Sequence, residues 1–381
     1  MTELTQIARI NVYSFRSPIT KPIKTSFGTM RDRPAVFVRV EDKDGVFGWG
    51  EIFANWPSAG AEHRVNLLAC DIGPLVLGYR LSHPSDLYHA LTDRTHIVAL
   101  QSGEWGPFRQ VIAGLDIAVW DLFARKSGKT LRRYMNESAP NHVPAYASGI
   151  HINDANAIVE SARKIGFTDF KVKVGFNSEQ DINHLFQIFA DKAKHETIAA
   201  DANQGWGVTE ALNFMSQTAA LPLAWLEEPI PADSPSAYWQ KLNEVCSYPL
   251  AGGENIVGSK TFEAAMVSNH LKVIQPDIIK WGGLTGCFAV GRRALLHGLS
   301  YCPHFLGGGI GLQASANLLA AVGGAGLLEV DVNPNPLRDA FGAVSSRISD
   351  QGWLCNNDIG LGIVLIPEEL NQIRSHEAEV S

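Results

Sequence analysis

Short apolar runs that end in charged or amide side chains recur along the middle of the chain. The runs FKVKVG, IAADAN, AWLEEP and AGGEN begin at residues 170, 198, 224 and 251. A spacing of about 27 residues leaves room for one helix between successive strands. Strand–helix–strand units of this length form right-handed crossovers, and the pattern therefore predicts a parallel sheet.

The same pattern continues on both sides of these four runs. Further strand candidates cover residues 143–148, 272–277, 299–304 and 327–331, so eight candidates lie between residues 143 and 332. Eight such units close into a barrel of the (β/α)8 type or a close variant. Barrels of this type carry their catalytic groups at the carboxyl ends of the strands.

The first 139 residues have a different pattern. Residues 7–15 alternate between apolar and polar positions, and the runs 34–39 and 46–49 flank Asp44-Gly45, which predicts an antiparallel hairpin. Helical periodicity follows over 61–76, from 85 onward and over 108–125. We therefore predict an α+β domain over residues 1–139, the barrel over 140–340, and a C-terminal segment over 341–381. Within that segment, residues 360–365 are predicted to return as a strand to the first domain.

Composition and charge narrow the class of protein. With 381 residues, 45% hydrophobic and 19% charged, the chain is an ordinary globular protein, large enough for two domains. The formal net charge of −7 argues against nucleic acid or an anionic membrane as a partner. The longest apolar region, 306–328, is interrupted by Gln313, Ser315 and Asn317, and it therefore predicts no membrane span.

The cysteines and the N-terminal sequence bear on localisation. Five cysteines are scattered along the chain without a CxxC pair, a pattern that suits a reducing compartment. The sequence MTELTQIARI has no basic region followed by an apolar core, so we expect no signal peptide. These features predict a cytoplasmic protein.

Charged side chains gather at the predicted carboxyl ends of four successive strands. These ends carry Lys171 and Lys173, then Asp201 and Asn203, then Glu227, and then Glu254. Three neighbouring carboxylates repel one another unless a cation lies among them, and oxygen-only ligands favour Mg²⁺. Strand alternation places both lysines on the same face. A lysine beside a second ammonium and a metal ion has a lowered pKa, so it is a candidate base.

The later strands add a second candidate for proton transfer. Strand six ends in Asp277, followed by Lys280; strand seven ends in His304, and strand eight carries Glu329. Strands six and seven are neighbours in a barrel, so we expect the His304 ring to donate a hydrogen bond to Asp277, which fixes its tautomer and raises its basicity. Because strand two lies across the barrel, the lysines and His304 are expected to flank a bound substrate from opposite sides.

The motifs K-x-K, D-x-N, E-E-P, G-E-N and D-x-x-K, followed by His304, resemble the enolase superfamily, specifically its mandelate racemase/muconate lactonizing enzyme subgroup. The runs GLDIAVWDLFARKSG at 114–128 and GGLTG at 282–286 extend the resemblance over essentially the whole chain. The resemblance implies a (β/α)7β TIM-type barrel. It also implies an α+β capping domain formed by the N-terminal region and the C-terminal segment.

The resemblance also implies a role for each residue at the ends of the first four runs. Asp201, Glu227 and Glu254 are expected to be the Mg²⁺ ligands. Lys173 is expected to act as one acid/base, and Lys171 as the neighbour that lowers its pKa.

On the opposite side, the resemblance implies that Asp277 and His304 form a second acid/base dyad. Glu329 is expected to act as an electrophilic acid on a substrate carboxylate oxygen, and Asn203 to contact the substrate. The expected chemistry is Mg²⁺-dependent removal of the α-proton of a carboxylate substrate to give a metal-stabilised enediolate.

Three outcomes follow from this chemistry. Proteins that resemble this subgroup and carry the dyad are commonly acid-sugar dehydratases, so we expect dehydration of an acid sugar or hydroxy acid to a 2-keto acid. The alternative is a racemase or epimerase of a 2-hydroxy or amino-acid-type carboxylate. A catalytically inactive binding barrel is the second alternative, and the complete set of ligands and acid/base groups argues against it. In each case we expect a homo-oligomer.

Specificity is expected to come from the first domain. By analogy with the family, loops around 22–33 and 53–57 cover the barrel mouth. Lys24 and Arg31, together with Arg33 and His63, are candidates for binding a distal carboxylate or hydroxyl groups of the substrate, whereas Phe53 and Trp56 indicate a partly apolar pocket.

A glycine-rich segment follows the predicted seventh strand. Residues 307–311 read GGGIG, which resembles a dinucleotide-binding loop but lacks the full spacing of that fingerprint. We interpret it as a tight turn between strand and helix.

Overall fold

The first third of the chain forms an antiparallel sheet covered by helices. The computed structural model describes residues 4–25 and 28–381. The strands are β1 (Thr5–Thr25), β2 (Gly28–Asp42), β3 (Phe47–Ile52) and β4 (Arg80–Leu81). The helices are α1 (Gly60–Leu67), α2 (Gly73–Val76), α3 (Ser85–Ser102), α4 (Trp105–Lys126) and α5 (Leu131–Met135), with a π-helical turn at Leu68–Ile72.

Helix α4 is the central helix of this part and packs directly on β2 and β3. Gly48 and Gly50 permit the close approach. A Cβ atom on Gly48 would lie 2.0 Å from the Ala118 carbonyl oxygen, and one on Gly50 would lie 2.1 Å from that of Gly114. The apolar side chains of α4 and of the sheet form one buried core.

The middle of the chain forms a curled parallel sheet in which a helix lies between each two successive strands. After the short β5 (His142–Val143), the strands are β6 (Ala145–His151), β7 (Asp169–Lys173), β8 (Thr197–Asp201), β9 (Leu226–Glu227), β10 (Leu250–Gly252), β11 (Val273–Ile274), β12 (Ser300–Tyr301) and β13 (Leu328–Asp331). The alternating helices are α6 (Ala155–Lys164), α7 (Ser178–Asp191), α8 (Val208–Gln217), α9 (Ser236–Val245), α10 (Ser259–Ser268), α11 (Gly283–Leu296) and α12 (Gly309–Val322).

The order of the strands in this sheet is β12-β11-β10-β9-β8-β7-β6-β13. The last strand therefore returns to pair with the first, with Leu328 opposite Ala145 and Asp331 opposite Ser148. Eight strands that alternate with seven helices confirm the predicted (β/α)7β barrel. The strand ends that carry the charged residues consequently meet at one rim.

The barrel strands β11 and β12 are much shorter than predicted. The candidates at 272–277 and 299–304 are reduced to the two-residue strands β11 and β12. Pro276 and Pro303 follow these strands, and proline has no N–H group to donate to a sheet ladder. Beyond the prolines, Asp277 and His304 pair again in an isolated bridge.

The C-terminal segment completes the first sheet. The short helix α13 (Pro336–Asp339) lies just before this segment, which contains β14 (Ile348–Ser349), β15 (Gly352–Leu354) and β16 (Arg374–Val380). Within the described residues, 3-10 turns lie at Ile152–Asp154, Val344–Ser346 and Glu368–Ile373. Strand β16 pairs antiparallel with β1, which gives the order β16-β1-β2-β3. The predicted capping domain built from both ends of the chain is thereby confirmed.

The strand predicted at 360–365 is wrong. Gly360 forms a single bridge to Thr130, and the residues after it are not in a strand. Gly360 and Gly362 have φ of 66° and 73°, which lies in the left-handed region and interrupts an extended chain. The segment nevertheless lies against the capping domain, because the Leu361 N–H donates to Asp121 at 2.6 Å.

The domain boundaries predicted at residues 139 and 340 stay a prediction. Over residues 4–25 and 28–381, no helix combines the length and the apolar character that a membrane crossing requires.

Candidate active site

A cavity of about 530 Å³ lies between the capping domain and the carboxyl ends of the barrel strands. Its barrel side includes Lys173, Asn203, Glu254 and His304, and its capping-domain side includes Met30, Phe53, Trp56 and Gln110. Both predicted proton-transfer groups therefore face the same cavity. The volume is in the range of pockets that bind small molecules.

Lys171 forms the buried floor beneath this cavity. Its Nζ lies 2.9 and 2.8 Å from the two carboxylate oxygens of Glu227 and 2.8 Å from Glu329 Oε1. Asp201 Oδ2 is 4.0 Å away. Glu329 also accepts a hydrogen bond from the Ser148 hydroxyl at 2.5 Å. One ammonium group thus forms ion pairs with several carboxylates in a region closed to solvent.

The shared ammonium shifts the pKa of its neighbours in opposite directions. Burial lowers the pKa of Lys171, but Glu227 and Glu329 outweigh burial and hold it well above its ordinary value. Burial raises the pKa of Glu227 to about 7. The negative charges of Asp201 and Glu329 act in the same direction, and the Lys171 ammonium acts in the opposite direction. Burial also opposes ionisation of Glu329, yet Lys171 lowers its pKa to about 2.

These shifts bear on two predicted roles. The Lys171 ammonium favours the ionised form of Glu329, whereas the predicted role of Glu329 as an electrophilic acid needs a proton, and that role stays a prediction. The Lys171 ammonium is paired with the carboxylates of Glu227 and Glu329. The predicted lowering of the Lys173 pKa by Lys171 likewise stays a prediction.

Lys173 lies higher, at the cavity wall. Its Nζ donates to Asn203 Oδ1 at 2.5 Å and to Asp201 Oδ2 at 3.3 Å. Asp201 in turn accepts the Asn203 backbone and side-chain N–H groups at 2.8 and 3.0 Å. Asn203, Gln204 and Glu228 have φ of 44°, 62° and 37°, an unfavourable region for residues other than glycine. Strained backbone of this kind is typical of functional sites.

Asp277 and His304 form the expected pair. The His304 ring nitrogen Nδ1 lies 2.8 Å from Asp277 Oδ2, and Nε2 lies 3.4 Å from Glu254 Oε2. Burial lowers the pKa of His304, but Glu254, Glu329 and Asp277 together raise it to about 10. Glu254 also accepts from Lys280 Nζ at 3.0 Å, and His304 and Lys280 hold its pKa below the ordinary value against burial.

The donors at the rim suit a hard divalent cation. Asp201, Glu227 and Glu254 offer only carboxylate oxygens, the ligands that Mg²⁺ prefers. Glu228 adds a fourth carboxylate, which is buried and whose Oε1 has no hydrogen-bond partner in the described part of the chain. Burial raises the pKa of Glu228 well above the ordinary value, and the charge of Glu254 acts in the same direction. Among residues 4–25 and 28–381, no three His, Cys, Asp or Glu side chains are already arranged around one metal position. The chemistry of the donors therefore fits the ion, while ammonium groups now lie among the carboxylates.

The capping-domain residues predicted to bind substrate divide into two groups. Phe53 and Trp56 line the cavity, and the Phe53 ring lies 5.3 Å from Lys280 Nζ. Arg31 is exposed and does not line the cavity, and its predicted contact with the substrate stays a prediction. The pairing of β1 with β2 shifts register between Pro18 and Ile23, and Met30 rather than Arg31 faces the cavity.

The remaining basic candidates also differ in position. Lys24 lies in β1, and its side chain falls outside the described part of the structure. Arg33 lines the cavity, but Asp331 neutralises it at 2.7 Å. His63 pairs with Glu104 at 3.1 Å and does not line the cavity.

Gln110 is a cavity residue that the sequence analysis missed. Arg64 donates to Gln110 Oε1 from Nε at 2.9 Å and from Nη2 at 2.7 Å. Because arginine only donates, the amide oxygen must face Arg64 and the amide NH2 group must point away from it. Gln110 lines the cavity and is therefore oriented to donate to a bound molecule. A single glutamine at the start of an apolar helix provides little sequence signal for this position.

Comparison with known proteins agrees with this geometry. Residues 9–135 match the family model of the mandelate racemase/muconate lactonizing enzyme N-terminal domain, and residues 154–369 match the enolase C-terminal domain-like model. A solved structure of a mandelate racemase/muconate lactonizing enzyme from Bordetella bronchiseptica is 40% identical, with a TM-score of 0.91, and the match covers 97% of this chain and 99% of that chain.

The names of two relatives describe enzymes that act on a sugar acid or on its lactone. D-galactarolactone cycloisomerase from Agrobacterium fabrum is 25% identical over 97% of this chain and 99% of the relative. Arabinonate dehydratase from Saccharolobus solfataricus is 28% identical over 87% of this chain and 88% of the relative. With both family models matched and the predicted barrel confirmed, the chain belongs to the mandelate racemase/muconate lactonizing enzyme family of the enolase superfamily.

Proposed function

We propose that this protein is a Mg²⁺-dependent enzyme that removes the α-proton of a small carboxylate and dehydrates an acid sugar or hydroxy acid to a 2-keto acid. The observation that carries the proposal is that Lys173 and His304 face one cavity from different parts of the barrel. Strands β7 and β12 are separated by β6 and β13 on one side and by β8–β11 on the other. A substrate between them exposes a different face to each group.

Lys173 is the proposed base. Its Nζ lies at the cavity wall, 2.5 Å from Asn203 Oδ1 and 3.3 Å from Asp201 Oδ2, so two acceptors aim the ammonium or amine at one position. A positioned base accelerates proton transfer by about 10²–10⁴-fold. Asn203 also lines the cavity, and we assign it a second contact, to the substrate.

His304 is the proposed acid. Asp277 accepts the Nδ1 proton at 2.8 Å, so Nε2 is the ring atom that gives a proton to a departing hydroxyl group. Asp277 is itself held, because its Oδ1 accepts the backbone N–H of Ile279 at 2.9 Å. The ring therefore keeps one orientation during the reaction.

Asp201, Glu227 and Glu254 are the proposed Mg²⁺ ligands. When bound, the ion supplies positive charge that stabilises the substrate carboxylate as negative charge grows on it after loss of the α-proton. The excess of buried carboxylates over ammonium groups is the feature of this chain that calls for such a cation. Lys171 remains between Glu227 and Glu329, where it limits their mutual repulsion.

Racemisation or epimerisation is the second candidate function. The same two groups on different strands allow a proton to leave from one face and return on the other. The relatives named above include a dehydratase and a cycloisomerase, which supports chemistry that starts from a sugar acid and places dehydration first. A binding barrel without catalysis has no need for two opposed proton-transfer groups.

A substrate screen tests the proposal. Acid sugars and hydroxy acids are incubated with the protein and Mg²⁺, and 2-keto acid formation is measured, with the Lys173→Ala variant as control. Dehydration predicts a keto acid from wild type alone. Exchange of the α-proton with D₂O without a keto acid indicates the racemase, and no exchange with any carboxylate contradicts both enzymatic functions.

A further inference from the structure

Glu51, on β3 of the capping domain, is a fully buried carboxylate outside the proposed catalytic set. Its Oε1 accepts the Gly308 N–H at 2.5 Å, and its Oε2 accepts the Gly311 N–H at 2.7 Å. Gly308 immediately precedes α12, and Gly311 lies in its first turn. A carboxylate at the amino end of a helix satisfies free N–H groups and interacts favourably with the helix dipole.

The glycine-rich segment 307–311 is the recess that admits this carboxylate. A Cβ atom on Gly307, Gly308 or Gly311 would lie 2.6, 3.2 or 3.0 Å from a Glu51 carboxylate oxygen. Side chains at these positions would crowd the carboxylate away from the backbone N–H groups. The GGGIG sequence, interpreted above as a tight turn between strand and helix, therefore receives a carboxylate of the same chain.

Asp116, on α4, makes the equivalent contact with the neighbouring barrel helix. It accepts the Thr285 backbone N–H at 2.8 Å and the Thr285 hydroxyl at 2.6 Å. Thr285 lies in the first turn of α11, which begins at Gly283. A Cβ atom on Gly283 would lie 2.4 Å from Asp116 Oδ2, so a glycine again permits the approach.

Both contacts fall on the two segments that carry the proposed dyad. Gly308 follows His304 by four residues, and Gly283 follows Asp277 by six. Two further capping-domain groups bind the same segments: the Phe53 N–H donates to Ile279 O at 3.2 Å, and Asn55 Nδ2 donates to Leu306 O at 2.7 Å.

The side of the site that carries Lys173 is held by residues of the barrel itself. Lys173 bonds to Asp201 and Asn203, which lie on or directly after the neighbouring barrel strand. The capping domain thus contacts the segments of the acid, whereas barrel residues hold the base.

We propose that Glu51 and Asp116 are positioning residues for the Asp277–His304 dyad. By binding the amino ends of α12 and α11, the capping domain sets where His304 Nε2 lies in the cavity. Docking of the capping domain therefore closes the site and also aligns one of its two proton-transfer groups.

The Glu51→Gln variant is the central test, because glutamine keeps the size but offers only one acceptor. The ring nitrogen signals of His304 are recorded by ¹⁵N NMR in the full-length, Mg²⁺-loaded protein and assigned by their loss in His304→Asn. We expect these signals to shift in Glu51→Gln. For this readout the inference does not depend on the reaction. For turnover the inference rests on the proposed function. We expect kcat to fall by about 10²-fold, because a reacting group misplaced by about 1 Å loses about that much rate. We expect little change in KM.

Asp121→Asn is the matched control. Asp121 is an equally buried carboxylate on α4, but it accepts N–H groups of Trp49 and Leu361, far along the chain from the dyad segments. The control is expected to lower Tm and leave the His304 signals unchanged. If Glu51→Gln lowers Tm in the same way and leaves the His304 signals and kcat unchanged, the positioning role is wrong.

A milder pair of variants decides the question if Glu51→Gln does not fold. Thr285→Ala removes the hydroxyl that donates to Asp116, and Thr285→Ser restores it. We expect shifted His304 signals in the alanine variant and wild-type signals in the serine variant; identical signals in both contradict the proposal. Absence of keto acid formation by wild type contradicts the proposed function alone, because the ring signals still report on positioning.

Discussion

The His304 ring nitrogen Nδ1 lies 2.8 Å from the Asp277 carboxylate oxygen Oδ2. This contact joins the ends of two neighbouring strands and leaves Nε2 as the atom that faces the cavity. Lys173 faces the same cavity with its own partners, Asp201 and Asn203. Since the two groups share no hydrogen-bond partner among these contacts, their contributions to the reaction can be separated by mutation.

The first prediction separates the two proton-transfer groups. His304→Asn is expected to block loss of the hydroxyl group while Lys173 still exchanges the α-proton with D₂O. Lys173→Ala is expected to abolish both exchange and turnover, each loss being about 10²–10⁴-fold. NMR of the α-proton and an assay for keto acid measure the two steps.

The control for this pair is His297→Asn. His297 follows α11 and pairs with Glu263 at 3.6 Å on the barrel exterior, so its loss is expected to leave both steps intact. Near wild-type turnover by Lys173→Ala or by His304→Asn would show that the two-group mechanism is incorrect.

The second prediction concerns the metal. Mg²⁺ that binds the native state is expected to raise Tm of the wild type, because ligand binding to the folded state alone stabilises it. Asp201→Asn and Glu227→Gln are expected to lose most of this rise. Thermal unfolding with and without Mg²⁺ measures it, and chelation should abolish turnover.

Glu196→Gln provides the comparison for the metal variants. Glu196 is also buried and pairs with Arg163 at 2.7 Å, but it precedes β8 and lies at the amino end of the strand. It is expected to lower Tm while keeping the full rise with Mg²⁺. Full activity of a metal-free preparation would contradict the proposed cofactor.

The third prediction concerns recognition by the capping domain. Gln110→Leu removes an amide that Arg64 orients toward the cavity. Loss of one hydrogen bond of about 0.5–1.5 kcal/mol corresponds to a rise in KM of roughly 2- to 13-fold, with kcat changed less. Gln101→Leu, at the exposed end of α3, is the control. An unchanged KM in Gln110→Leu would remove this residue from the substrate contacts.

The fourth prediction is a pH dependence of stability from Asp116. Burial is the main reason that the pKa of this carboxyl is raised from 3.8 to about 7. The folded protein therefore keeps a proton that the unfolded chain releases near pH 4, so the stabilisation is complete below about pH 4 and is lost as pH rises through about 7. Between pH 5 and pH 8 the loss is on the order of 2–3 kcal/mol.

Urea unfolding of wild type and Asp116→Asn at several pH values tests this sign. The stability of wild type relative to the variant should decrease as pH rises from 5 to 8, because asparagine has no proton to lose. A difference that is constant with pH, or that increases, would show that Asp116 is ionised throughout.

Much of the fold was predictable because its signals are local. The runs that end in Lys173, Asp201 and Glu227 each combine strand-type apolar residues with a charged end, and their spacing admits one helix. The two short strands before Asp277 and His304 were overestimated, although Pro276 and Pro303 already marked where a ladder must stop.

Two other features could not be read from local signals. Arg31 was expected at the cavity by its position in a loop, yet a register shift between paired strands decides which side chain faces inward. The run 360–365 has the composition of a strand, but positive φ at Gly360 and Gly362 depends on the surroundings into which the chain must fit.

The sequence by itself determined which residue types stand at the strand ends, and with them the barrel and the set of acid, base and ligand candidates, because periodicity and strand-end position are properties of single segments. Only the tertiary structure decided which charges pair, such as Lys171 with Glu227 and Glu329. It also decided that Glu51 binds a turn 257 residues away. Such pairings depend on distances between segments far apart in the chain, and no local pattern records those distances.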